Sequence, residues 1–88
     1  MPARHHRADW EWQFVRQLGA NIVAARQAQS LNGADLARLL GVNASCLWHW
    51  EQGLRCMGVT RFQTIADALG LPATALLPKN WRSLAGPA

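Results

Sequence analysis

The feature that most narrows how this chain can fold is the run LARLLGVNASCLWHWEQG, residues 36–53. Two short apolar-periodic segments flank a three-residue link, Gly41-Val42-Asn43. Helices of about two turns are marginal alone in water, because nucleation is costly and few bonds follow it. They must therefore pack on each other across a sharp corner. Gly41 permits the left-handed backbone of such a corner. Val42 is an apolar plug within it, and Ala37 is small where the helices cross. Asn32 and Asn43 are the N-caps expected of the two helices, with Asp35 in a first turn where the dipole favours negative charge. Gly41 and Gly53 are the expected stops. A pair of short helices joined by a Gly-containing turn is the pattern of a helix-turn-helix.

Within the second of these helices, Trp48 and Trp50 are two residues apart. An α-helix turns about 100° per residue, so the two rings point roughly 200° apart and cannot share one core. Trp50 lies on the face of Leu47 and is the buried one. Trp48 falls on the outer arc with Ala44, Ser45, His49 and Gln52. As a surface residue it has four readings: incidental exposure, folding down onto the domain, contact with a ligand surface, or anchoring a protein partner.

The rest of the chain extends the helical pattern. Residues 1–8, MPARHHRA, are polar and basic and read as a flexible arm. Asp9 is the expected cap of a helix running to about Gln29, with a stripe of Trp10, Phe14, Leu18 and Ile22, and Val15 and Ala25 beside it. Gly19 interrupts this helix at a cost of about 1 kcal/mol relative to Ala, and marks a bend or a close approach. Val59 or Thr60 opens a fourth helix striped by Phe62, Ile65, Ala66 and Leu69 and stopped by Gly70. Pro72 suits the first turn of a short fifth helix, PATALL, and Pro78 ends it. The expected architecture is an all-α domain of five short helices over residues 9–77, with the arm 1–8 before it and a tail, 78–88, after it.

Composition restricts the function. The chain has 88 residues, half of them hydrophobic, which suits one small domain. Nine Lys plus Arg against five Asp plus Glu give a net charge of +4, and all the cations except Lys79 are arginine. Arginine matches phosphate and guanine edges better than lysine, so nucleic acid is the partner this charge suggests. Two cysteines, Cys46 and Cys56, make no disulfide framework, the N-terminus is not a signal peptide, and no run approaches a membrane span. An intracellular, cytoplasmic setting is expected. Cys46 and His49 are three residues apart on one helix, but a structural zinc site needs four ligands, so no metal is expected. No Gly-rich phosphate loop, paired carboxylates or nucleophile–base set is present, so neither catalysis nor a cofactor is expected.

The segments LNGADLARLLGV, LWHWEQG and IADALGL resemble the lambda-repressor-like helix-turn-helix family of phage Cro and repressor proteins (XRE-like), in unbroken register from residue 31 to 71. The resemblance covers residues 18–77. It implies an ion pair between Arg26 and Glu51 that fixes the third helix as the recognition helix. It implies that Ala44, Ser45, Trp48 and His49 face base edges in the major groove. Phosphates would be met at Asn32, Gly33, Asn43 and Gln52, near the N-termini and flank of the two helices, with Arg55 and Arg61 as clamps. Two positions depart from the family pattern. Gly33 stands where a polar side chain is usual, and Ala44 where a long polar base reader is common. Ala44 and the Trp48 edge would meet thymine methyls instead, or specificity would lean on DNA shape.

The function so implied is sequence-specific binding of double-stranded operator DNA by a small repressor, as a homodimer on a pseudo-palindrome. The alternative is a protein-interaction module, such as an antitoxin or the partner of another regulator, held through Trp48, Trp12 and Trp81.

Overall fold

The computed structural model describes residues 9–79. Four α-helices follow in order: α1 Asp9–Ala28, α2 Gly33–Leu40, α3 Ala44–Glu51 and α4 Val59–Leu69. A single 3-10 turn, Ala73–Leu76, comes last. No strand occurs among the described residues. The arm at residues 1–8, and the tail beyond residue 79 with Trp81, lie outside the described residues.

The expected fifth α-helix is not one. Its hydrogen bonds run from Ala75 N–H to Pro72 carbonyl at 2.9 Å and from Leu77 N–H to Thr74 carbonyl at 3.3 Å, both three residues back. Leu77 precedes Pro78 and is extended, with φ −68° and ψ 143°. The proline ring disfavours an α conformation at the preceding residue, so the ladder cannot lengthen into an α-helix. Pro78 itself is fully buried, so the packed part of the chain reaches at least that far.

The caps follow local chemistry. Asn32 accepts from Asp35 N–H at 2.8 Å and Asp35 accepts from Asn32 N–H at 3.1 Å, a reciprocal capping box on α2. Asn43 accepts from Cys46 N–H at 2.7 Å on α3. Gly41 takes the left-handed conformation, φ 72°, that turns the chain from α2 toward α3.

The end of α1 has no glycine. Ser30 occupies the left-handed position instead, with φ 60°, while Leu31 N–H closes back onto the Arg26 carbonyl at 2.9 Å. That conformation costs an L-residue with a Cβ about 1–2 kcal/mol. Ser30→Gly is therefore expected to stabilise the fold by about 0.5–1 kcal/mol, net of glycine's extra unfolded-state entropy. An unchanged or lower midpoint of thermal unfolding would contradict this.

The core is one cluster: Leu18 and Ile22 of α1; Leu36, Ala37 and Leu40 of α2; Leu47 and Trp50 of α3; Ile65, Ala66 and Leu69 of α4; and Leu76. Helix α1 packs on α3 and on the 3-10 turn, while α2 packs on α3 and α4. Trp10 does not join this core, contrary to its place on the stripe: it is 42% exposed. At 1.5 Å per residue, 20 residues make α1 about 30 Å long. Its partner α3 is only 8 residues long, so the first turn of α1 overhangs it.

Candidate nucleic-acid interface

The recognition candidate, α3, is held from behind at three points. Leu47 and Trp50 enter the core at 1% and 6% exposure. Glu51, also 6% exposed, receives two bonds from Arg26: Nε to Oε2 at 2.7 Å and Nη2 to Oε1 at 3.2 Å. Arg26 Nη1 donates in addition to the Leu31 carbonyl at 3.1 Å, which ties the α1–α2 loop to the same group. The bonds donated to Glu51, reinforced by the carboxylate's charge, raise the Arg26 pKa above its ordinary value against the opposing push of burial. The guanidinium therefore stays charged at any working pH.

The third point is backbone on backbone. A Cβ on Gly19 would lie 2.6 Å from the Trp50 carbonyl oxygen and 2.7 Å from the Glu51 carbonyl carbon. Gly53 returns the contact. It is left-handed, φ 73°, and a Cβ there would lie 2.7 Å from Arg16 Cα. Residues 16 and 19 share one face of α1, so the last turn of α3 rests directly on the α1 backbone. Of the two options that Gly19 raised, close approach is the one realised.

In front, Ala44, Ser45 and Trp48 are exposed and His49 is half-buried. Their polar atoms are partly engaged within the helix. Ser45 Oγ donates to Asn43 Oδ1 at 3.1 Å, and His49 Nδ1 lies 2.6 Å from the Ser45 carbonyl oxygen. The indole of Trp48 stands edge-on to the His49 ring, with centroids 5.3 Å apart and an interplanar angle of 79°. Trp48 is 51% exposed, on the side of α3 opposite Trp50.

The remaining candidates surround this face. Asn32 is exposed, and its amide oxygen serves the cap, which leaves the amide NH2 as a donor. Gly33 opens α2 next to Arg26: a Cβ there would find Arg26 Nη2 at 3.9 Å. Asn43 caps α3, and exposed Gln52 closes it. Arg55 is exposed in the link between α3 and α4. Arg61 is half-buried, with its guanidinium 5.4 Å from the Trp50 ring centroid, a cation–π contact that braces the buried tryptophan. The Arg61 stack and the Trp48–His49 contact carried no signal in the sequence, because each depends on side-chain direction. Among the described residues no group of His, Cys, Asp and Glu could hold a metal ion, and no helix is long and apolar enough to cross a membrane.

Two short helices at a glycine corner, the second braced inward and open outward, define a helix-turn-helix domain. No family model matches the chain, and no curated protein matches it in sequence. Solved structures do. The S. venezulae BldD DNA-binding domain is 31% identical, with a TM-score of 0.69 over 75% of this chain and 99% of that one. The restriction-modification controller protein C.AhdI from Aeromonas hydrophila is 25% identical, with a TM-score of 0.69 over 72% of this chain and 96% of that one. A hypothetical transcription factor, NHTF, from Neisseria shares the fold over 94% of this chain and 93% of that one, at 24% identity and a TM-score of 0.73. The chain belongs to the lambda-repressor-like, XRE-like helix-turn-helix family. Of these neighbours, those at 25% identity or more are a DNA-binding domain and a restriction-modification controller protein.

Proposed function

We propose that this protein is a sequence-specific DNA-binding transcription regulator that lays α3 in the major groove of an operator. The observation that carries the proposal is the two-sidedness of α3: Leu47, Trp50 and Glu51 are buried, while Ala44, Ser45 and Trp48 are exposed on one arc. A helix so braced fits a groove about 12 Å wide. The N-termini of α2 and α3 offer unpaired backbone N–H groups to phosphates, with the Asn32 and Asn43 amide groups beside them. Gln52 and Arg55 extend this row. Arg61, held over the Trp50 ring, adds a further cation as a phosphate clamp. One such helix spans only a few base pairs, so a homodimer on a pseudo-palindromic site follows, with phage-repressor or Cro-like promoter occlusion as the mode of action. The setting is cytoplasmic, with Cys46 and Cys56 as free thiols.

Titration with duplex DNA at several salt concentrations tests this reading. The affinity should fall with a log–log slope of about −0.9 per phosphate neutralised. A flat salt response, or no binding to any duplex, would remove DNA as the partner.

A second reading is supported by exposed apolar side chains: Leu39 at 61%, Trp48 at 51% and Leu54 at 57%. These suit a protein-interaction module such as an antitoxin. Tight, salt-insensitive association with a protein would favour it.

A further inference from the structure

We infer that α3 selects A·T base pairs, with Trp48 and Ala44 seated against the C5-methyl group of thymine and His49 Nε2 accepting from the adenine amino group. The inference rests on the proposal that α3 faces duplex DNA.

It follows from an inventory of what the exposed arc of α3 still offers once its internal bonds are made. The Ser45 hydroxyl hydrogen is directed to Asn43 Oδ1, which also accepts from Cys46 N–H. Ser45 Oγ is left with lone pairs only. His49 Nδ1 faces a carbonyl oxygen at 2.6 Å. A carbonyl cannot donate, so Nδ1 carries the hydrogen and Nε2 of the neutral ring is an acceptor. Ala44 contributes a methyl group. Trp48 contributes an indole body with one N–H, and its edge-on contact with the His49 ring keeps the two together. Residues 44, 45, 48 and 49 therefore carry two acceptors, two apolar groups and a single donor, and none of them is Arg, Lys, Asn or Gln; Gln52, the other residue of the outer arc, is exposed at the end of α3 and is assigned to phosphate.

The four base pairs answer this arc differently. Guanine presents two acceptors, N7 and O6, side by side in the major groove, and reading them takes paired donors. Seated against an apolar arc with one N–H, at least one guanine acceptor would lose its water without gaining a partner, which is unfavourable. An A·T pair presents the adenine amino donor, one N7 acceptor and the thymine methyl. Each of these has a counterpart on α3: His49 Nε2 for the amino group, the indole N–H for N7, and the indole body with Ala44 for the methyl. Ala44, where this chain departs from its family by lacking a long polar reader, and Trp48 one turn further along α3 then form one methyl-reading surface.

The experiment begins with selection of bound duplexes from random sequence, followed by replacement of thymine with uracil in the half-site, which deletes only the C5-methyl group. It uses the unaltered protein, so folding does not intervene. The expected result is a half-site rich in A·T pairs and a loss of about four-fold in affinity per contacted methyl, from roughly 0.8 kcal/mol per buried CH2-sized group. The salt slope should be unchanged. Trp48→Ala should shrink the difference between thymine and uracil duplexes to what Ala44 alone sustains, and His49→Ala should lower the preference for A·T pairs. Duplex binding with a normal salt slope, but with G·C-rich selected sites or with uracil tolerated everywhere, would overturn the inference and leave DNA binding standing. Failure to bind any duplex would overturn both.

Discussion

Replacing Glu51 with alanine is expected to cost the fold about 3–5 kcal/mol, the range for removing one partner of a buried ion pair. The Glu51 side chain is 4% exposed and that of Arg26 15%, so the guanidinium left behind would keep its charge in a site largely closed to water. A domain of this size has roughly 4–10 kcal/mol of stability to lose. The thermal midpoint should therefore fall by more than about 12 °C, if the protein folds at all. Exchanging both partners for apolar residues, Arg26→Met with Glu51→Leu, should recover much of the loss, since buried pairs and apolar replacements of similar volume often have similar stability. Recovery should be incomplete because the Leu31 carbonyl also loses the donor it has in Arg26. A single Glu51→Ala variant that melts with the parent protein would show that the pair does not hold α3 in place.

Gly19→Ala separates helix propensity from packing, because the two predict opposite signs. Alanine favours a helix interior by about 1 kcal/mol over glycine, so a free α1 would be stabilised. In the folded protein the new methyl group meets the Trp50 and Glu51 carbonyls, which are backbone and cannot swing aside as a flexible side chain would. Overpacking of this kind costs about 1–3 kcal/mol or more, and a rigid neighbour puts it at the upper end. The net expectation is destabilisation of about 2 kcal/mol, or an outward shift of α3, measured as a lower thermal midpoint and weaker duplex binding. A higher midpoint would mean that α1 and α3 are free to separate. Gly53→Ala adds a left-handed penalty to a clash with Arg16 Cα and should be no milder.

The sequence by itself determined the order of the helices, the corner at Gly41-Val42-Asn43, the asparagine caps, and the split between Trp48 outside and Trp50 inside. Each of these follows from rules that act within a few residues: the 3.6-residue period, capping by a short side chain, and the left-handed freedom of glycine. The tertiary structure alone decided that Trp10 overhangs the core, that α3 lies backbone to backbone on α1 at Gly19 and Gly53, and that Arg61 stacks on Trp50. It also directed the free atoms of Ser45 and His49, which sets what α3 offers a base pair. These outcomes depend on distances between residues far apart in the chain, where packing against a shared core, and not local preference, selects the geometry.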